Sequence, residues 1–128
     1  MILGLGCDLV SIKKTDRLLK KYGERFLKKV FTEQEIHRGK ERANPGEEFA
    51  SWFSAKEAMQ KALGAGLFAG IRFREIEVIS HPSRAPKIQL YGRAKKRAEQ
   101  IGVKAIHLSL SHEQDYALAM VVLEGGER

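Results

Sequence analysis

The chain holds a single cysteine in 128 residues, so no internal disulfide framework staples it, and this usage fits a reducing cytoplasm. Met1 leads straight into an apolar run without a basic leader region or a small-residue cleavage site, and no segment is long and apolar enough to span a bilayer. A soluble, cytoplasmic protein without a membrane partner is expected. No internal repeat, linker or low-complexity segment interrupts it. No zinc-ligand spacing or aromatic strand motif of nucleic-acid binders accompanies its basic residues.

Positive charge is abundant. Lys and Arg number 23 against 16 Asp and Glu, a net charge of +7 and a pI near 9.7. Such a balance implies an acidic partner. Nucleic acid would meet the same electrostatics, but the basic residues are dispersed: Lys13, Lys14, Lys20, Lys21, Lys28 and Lys29 early, Arg93, Lys95, Lys96 and Arg97 later. The length suits one domain, residues 1–124, followed by a frayed tail at 125–128. A domain of this size buries about two thirds of the surface its unfolded chain exposes.

Periodicity predicts strands near residues 2–9, 75–80, 87–91, 105–111 and 116–123, the last two close enough to form a hairpin. Helices are predicted at 12–21, 24–30 and from Thr32, where Glu35 completes a capping box. Ala43-Asn44-Pro45-Gly46 reads as a loop. A long helix then runs from Glu47 to Leu63 with Gly64 just beyond its end, and a basic helix from Arg93 to Gln100 is ended by Gly102. The long helix carries an apolar stripe of Phe49, Trp52, Phe53, Ala55, Met59, Ala62 and Leu63. The expected architecture is α+β, an antiparallel sheet packed against that long central helix.

Three places carry candidate chemistry. Glu57 and Lys61 are four residues apart on one helical face, where an anion held by a cation at Glu57 would also meet Lys61; an ordinary solvated ion pair has the same spacing. Asp8 lies in the apolar run Ile2 to Ile12 after two glycines that allow close approach, so it either needs a buried partner or caps the helix beginning near Ser11. Ser111 and His112 end an alternating run from Ile106 and either line a site or cap a turn. Cys7, in the same apolar run as Asp8, reads as a small core residue. Lys56 points about 100° away from Glu57 and reads as a phosphate or partner contact, or as solvent-facing.

These segments together resemble the 4′-phosphopantetheinyl transferases, and among them the short holo-acyl-carrier-protein synthase type. The family's opening Gly-x-Asp strand is met by Gly6-Cys7-Asp8-Leu9-Val10-Ser11-Ile12, and its Thr-x-x-Glu segment by Phe31-Thr32-Glu33-Gln34-Glu35. The central signature Phe-x-Ala-Lys-Glu-Ala-x-x-Lys-Ala-x-Gly-x-Gly runs from Phe53 to Gly66, followed by Glu75-Ile76-Glu77-Val78. Ser109-Leu110-Ser111-His112 and Ala117-Leu118-Ala119 complete the match in order.

The resemblance implies transfer of the phosphopantetheine arm of coenzyme A to a serine of an apo-acyl carrier protein, releasing adenosine 3′,5′-bisphosphate, in support of fatty acid biosynthesis. It implies Asp8 and Glu57 as Mg²⁺ ligands and catalytic residues, Lys61 on the diphosphate, Ser111 and His112 on coenzyme A, and Lys14 on the acidic carrier protein. Homotrimers with active sites at subunit interfaces are the family's assembly. Val10 stands where longer, two-lobed members carry a second acid, which places the chain with the small type. Lys14 and Trp52 each replace a frequent Arg, and Arg84-Ala85-Pro86 replaces a Gly-x-Pro turn. A scaffold that binds coenzyme A or carrier protein without catalysis is the remaining alternative.

Overall fold

The computed structural model describes residues 1–64 and 70–126. In chain order the elements are β1 (Ile2–Ser11), α1 (Ile12–Tyr22), α2 (Glu24–Val30), α3 (Glu33–Lys40), α4 (Pro45–Leu63), a 3₁₀ turn at Phe73–Glu75, β2 (Ile76–His81), β3 (Arg84–Leu90), α5 (Gly92–Ile101), β4 (Val103–Glu113) and β5 (Tyr116–Gly125). The α+β class and antiparallel pairing follow the sequence, but the strands form two sheets. One has the order β1-β5-β4 and the other is the β2-β3 hairpin. α4 packs on β1 and β5 and also reaches β2.

Local chemistry accounts for most boundaries. Ser11 caps α1, its hydroxyl accepting from the Lys14 N–H at 3.2 Å, so Asp8 is not the cap. Thr32 and Glu35 form the expected capping box on α3. α4 starts at Pro45, inside the expected loop, because proline is preorganised for the first helical position and lacks the N–H that would be orphaned there. Gly64 ends α4 at φ 74°, a left-handed conformation open to glycine; Gly66, the last signature position, lies outside the described residues.

Four strands differ from expectation: β1 and β4 run on by two residues at one or both ends, and β3 and β5 change the reading of their neighbours. β3 begins at Arg84, so Arg84-Ala85-Pro86 belongs to the strand, and Pro86 sits where the β2–β3 register shifts and no ladder donor is required. β5 continues through Gly125, whose N–H donates to Met1 O at 2.7 Å, so that part of the expected tail is strand. Glu127 and Arg128 lie outside the described residues.

The core lies between α4 and the sheets. β5 alternates cleanly, with Ala117, Ala119, Val121 and Leu123 fully buried and Tyr116, Leu118 and Met120 exposed. Around α4 the aromatic residues meet edge to face, Phe49 with Trp52 at 5.6 Å and Phe53 with Phe73 at 5.2 Å between centroids. Trp52 is therefore a core residue, and the Arg38 guanidinium lies 5.9 Å from its ring centroid.

Candidate active site

Gly4, Gly6 and Asp8 recur at period two on one face of β1, the face turned to α4. A Cβ at Gly4 would lie 2.2 Å from Ala62 O, and one at Gly6 1.8 Å from Ala58 O. The strand and helix backbones thus touch where side chains are missing, and the next residue on that face, Asp8, is delivered to the helix. It is buried, 9% exposed. α4 meets it with Glu57 and Lys61, which share a helical face.

The Lys61 ammonium donates to Asp8 Oδ1 at 2.7 Å and to Cys7 O at 3.1 Å. Glu57 lies within hydrogen-bonding reach of Asp8, and its carboxyl is pushed up to about 7, first by burial and then by the Asp8 charge and the shared hydrogen bond; Lys61 offsets part of this. Lys61 is in turn held above the usual lysine range, chiefly by its hydrogen bond to Asp8. Two carboxylates with one lysine between them leave a net negative charge in a half-buried niche. Oxygen donors with excess negative charge suit a hard divalent cation. Among the described residues no group of three or more His, Cys, Asp or Glu side chains could hold a metal, so Asp8 and Glu57 would be the acidic pair available to such a cation there.

Ser111 and His112 do not join this cluster. They line an open cavity of about 380 Å³ at the β4–β5 turn with Leu9, Tyr116 and Leu118. His112 Nε2 lies 3.3 Å from Glu47 Oε1 in the first turn of α4, ten residues before Glu57, or about 15 Å along the helix at 1.5 Å per residue. Lys14 is exposed in the first turn of α1, beside a shallow cavity of about 310 Å³ lined by Arg17, Leu18, Lys21 and Tyr22.

Two readings are corrected. Lys56 is neither solvent-facing nor a phosphate or partner contact: it is 0% exposed, paired with Glu35 Oε1 at 2.7 Å, and donates to Phe73 O and Ile76 O. α4 is enclosed on nearly every side, so the face opposite Glu57's neighbours is interior too. Cys7 is exposed, not core, because β1 is apolar on both faces and Leu5, Cys7 and Leu9 occupy the outer one. The sequence reading also missed that Glu35 and Glu77 are buried acids. Glu35 accepts from Thr32 N at 2.9 Å and Val78 N at 2.7 Å, and Glu77 takes the hydroxyls of Thr32 at 2.6 Å and Tyr91 at 2.9 Å. Alternation in Glu75-Ile76-Glu77-Val78 points Glu77 away from the face of Ile76 and Val78, so the pattern carried no signal of its burial, and Glu35 showed only its capping role.

The chain is similar over nearly its whole length to proteins of one family. Residues 4–121 match the family model described as the 4′-phosphopantetheinyl transferase superfamily. A holo-acyl-carrier-protein synthase of Maridesulfovibrio salexigens is 44% identical over 124 residues, covering 97% of this chain and 99% of that one. The crystal structure of the holo-acyl-carrier-protein synthase from Neisseria meningitidis superposes with a TM-score of 0.88 at 35% identity, covering 97% of this chain and 99% of its own. The Helicobacter pylori enzyme, solved in complex with coenzyme A, matches at a TM-score of 0.81 and 29% identity over 94% of this chain and 99% of its own.

Proposed function

Because the chain belongs to the 4′-phosphopantetheinyl transferase superfamily, among its holo-acyl-carrier-protein synthases, we propose that it transfers phosphopantetheine from coenzyme A to a serine hydroxyl of an acidic apo-acyl carrier protein, with Mg²⁺, for fatty acid biosynthesis. The observation that carries this reading is the convergence of Asp8, Glu57 and Lys61 where β1 and α4 touch. In the reaction the serine oxygen forms a bond to the phosphorus of the phosphopantetheine arm. The bond from that phosphorus to the bridging oxygen breaks, adenosine 3′,5′-bisphosphate leaves, and the serine proton is lost.

Asp8 and Glu57 would hold Mg²⁺, which supplies charge neutralisation at the diphosphate as that bond opens. Lys61 keeps a positive charge at the mouth of the niche, its side chain 56% exposed, where it can meet the same diphosphate. Charge stabilisation suits it, since its proton is held more tightly than an ordinary lysine's. Ser111 and His112 bind coenzyme A in this reading. The strand register sets Ser111 across β5 from Leu9, the residue after Asp8, and a site shared between subunits is part of this reading.

The outer face of the β1-β5-β4 sheet supports such an assembly. It exposes Ile2, Leu5, Leu9, Leu118 and Met120 together, a contiguous apolar surface of the kind that marks an interface. A homotrimer would cover it. For the carrier protein, α1 and α2 present Lys13, Lys14, Arg17, Lys20, Lys21, Arg25 and Lys28, and between them opens a cavity of about 460 Å³ lined by Leu18, Tyr22, Phe26 and Phe53. A basic rim around an apolar slot fits an acidic helix with an apolar face. No helix among the described residues is long and apolar enough to cross a membrane.

The test is intact-protein mass spectrometry of an apo-acyl carrier protein incubated with the protein, coenzyme A and Mg²⁺, with an EDTA control. Gain of one phosphopantetheine group that EDTA abolishes is the expected result. Coenzyme A binding without any mass gain would favour the scaffold.

A further inference from the structure

α4 is buried almost round its circumference: Phe49, Ala50, Trp52, Ser54, Ala55 and Ala58 point in directions spread round the axis and all are at most 1% exposed. Apolar burial of that kind puts the helix inside, and the close approach of β1 at Ala58 and Ala62 holds one side of it without reaching the side that carries Lys56. Lys56 is different. Its ammonium has three protons and meets three fixed acceptors, Glu35 Oε1 at 2.7 Å, Phe73 O at 3.0 Å and Ile76 O. These come from α3, the 3₁₀ turn and β2. Glu35 is itself held by the Thr32 and Val78 N–H groups, and the Phe31 ring lies 5.4 Å from the ammonium. Lys56 therefore stands on a rigid tripod.

Glu57 is the next residue, about 100° further round the helix, so the direction in which it leaves α4 is set once Lys56 is anchored. The lever is long: at about 6 Å from the axis, a rotation of about 20° would carry the carboxylate about 2 Å. We infer that Lys56 is a positioning residue for the active site, its tripod fixing the rotation of α4 and hence the spacing of Asp8 and Glu57. This rests on the reading of that pair as the cation site.

The tripod differs from the rest of the buried network in a way that can be tested. Glu77 acts on Lys56 through charge and bonds elsewhere, to Thr32 and Tyr91. Glu77→Gln weakens the network and leaves the tripod standing. Glu35→Gln/Lys56→Met removes the tripod with no charge left in it, though Glu77 loses its nearby counter-ion. The probe is Mn²⁺, titrated by electron paramagnetic resonance into the metal-free protein with coenzyme A present, alongside thermal unfolding of each variant.

Both variants should be less stable than the parent. Only the tripod-less variant should bind Mn²⁺ more weakly, by about tenfold or more, since displacements near 1 Å cost rates and affinities of that order; Glu77→Gln should stay within about twofold. A folded tripod-less variant that binds within about twofold of the parent would overturn the proposal, as would losses in both variants that track their lost stability. Should the double variant not fold, Lys56→Arg takes its place under the same criteria, because a planar guanidinium keeps the charge but cannot serve three convergent acceptors in the same geometry. A parent protein that binds no Mn²⁺ would instead remove the cation site on which the inference stands, and that result appears before any substitution is made.

Discussion

Lys56 and Glu57 are adjacent in the chain and belong to two charge clusters built on opposite plans. Around Lys56, Glu35 and Glu77 are 0% and 3% exposed, and every acceptor and donor has a partner. Among the described residues no buried side-chain polar atom lacks one. Around Glu57, two carboxylates crowd one lysine and the niche is open on the Lys61 side. One carboxyl takes a proton near neutral pH, chiefly because burial disfavours its charge and then because Asp8 repels it. A cluster satisfied from within holds elements together. One left with excess negative charge at an open edge has affinity to spare for a cation.

Breaking the satisfied cluster should have the largest effect. Lys56→Met alone strands Glu35 and Glu77 without their counter-ion and should cost about 3–5 kcal/mol in urea unfolding. A loss below about 1 kcal/mol would mean that the carboxylates protonate at little cost and that the cluster is not a structural anchor. Glu57→Gln addresses the open cluster. It should lower the Mg²⁺-dependent transfer rate by about 10²–10³ with the circular dichroism spectrum unchanged, and transfer with the parent's Mg²⁺ dependence would sink the metal role.

Gly6→Ala sharpens the comparison by prising apart the surface on which the open cluster is built. Its methyl would meet the Ala58 carbonyl, a backbone atom that cannot swing aside. Stability should fall by about 1–3 kcal/mol and Mg²⁺ activation should weaken with it; a stability loss with unchanged Mg²⁺ activation would separate the glycine contact from the site. Lys14→Glu lies outside both clusters and should act least, weakening carrier-protein affinity about tenfold with coenzyme A affinity unchanged, as measured by surface plasmon resonance and calorimetry. Equal losses in both would refute its role in docking.

The open cluster was legible in the sequence and the satisfied one was not, for a physical reason. Asp8 is an acid in an apolar strand, and Glu57 and Lys61 share a helical face, so each announces itself by local pattern. The partners of Lys56 come from α3, the 3₁₀ turn and β2, and helical periodicity cannot reveal which polar residue is interior when the helix is enclosed on nearly every side. Glu35 was legible only as a capping residue, the local half of its work. Cys7 misled for a similar reason: a strand apolar on both faces does not say which face the monomer leaves open. The helices α2 and α3 and the β4–β5 hairpin, whose signals are caps and turns, fell close to their expected positions.

The pH behaviour of Glu57 links cluster to function. Its carboxyl titrates near 7 in the folded protein against an ordinary 4.5. Below pH 4.5 both states are protonated and nothing is gained or lost. Between the two values the folded state holds a proton the unfolded state has released, so this group's contribution falls as pH rises, and above 7 the full cost is present. Solvent screening of a half-exposed group reduces that cost to about 1–2 kcal/mol.

The most direct test is therefore equilibrium unfolding of the parent and Glu57→Gln at pH 8, with and without Mg²⁺ and coenzyme A. Without ligands the variant should be the more stable by about 1–2 kcal/mol, and with saturating ligands the order should reverse, because only the parent gains the binding energy of the cation. A variant less stable than the parent in both conditions would contradict the account, since Glu57 would then be a structural carboxylate like Glu35.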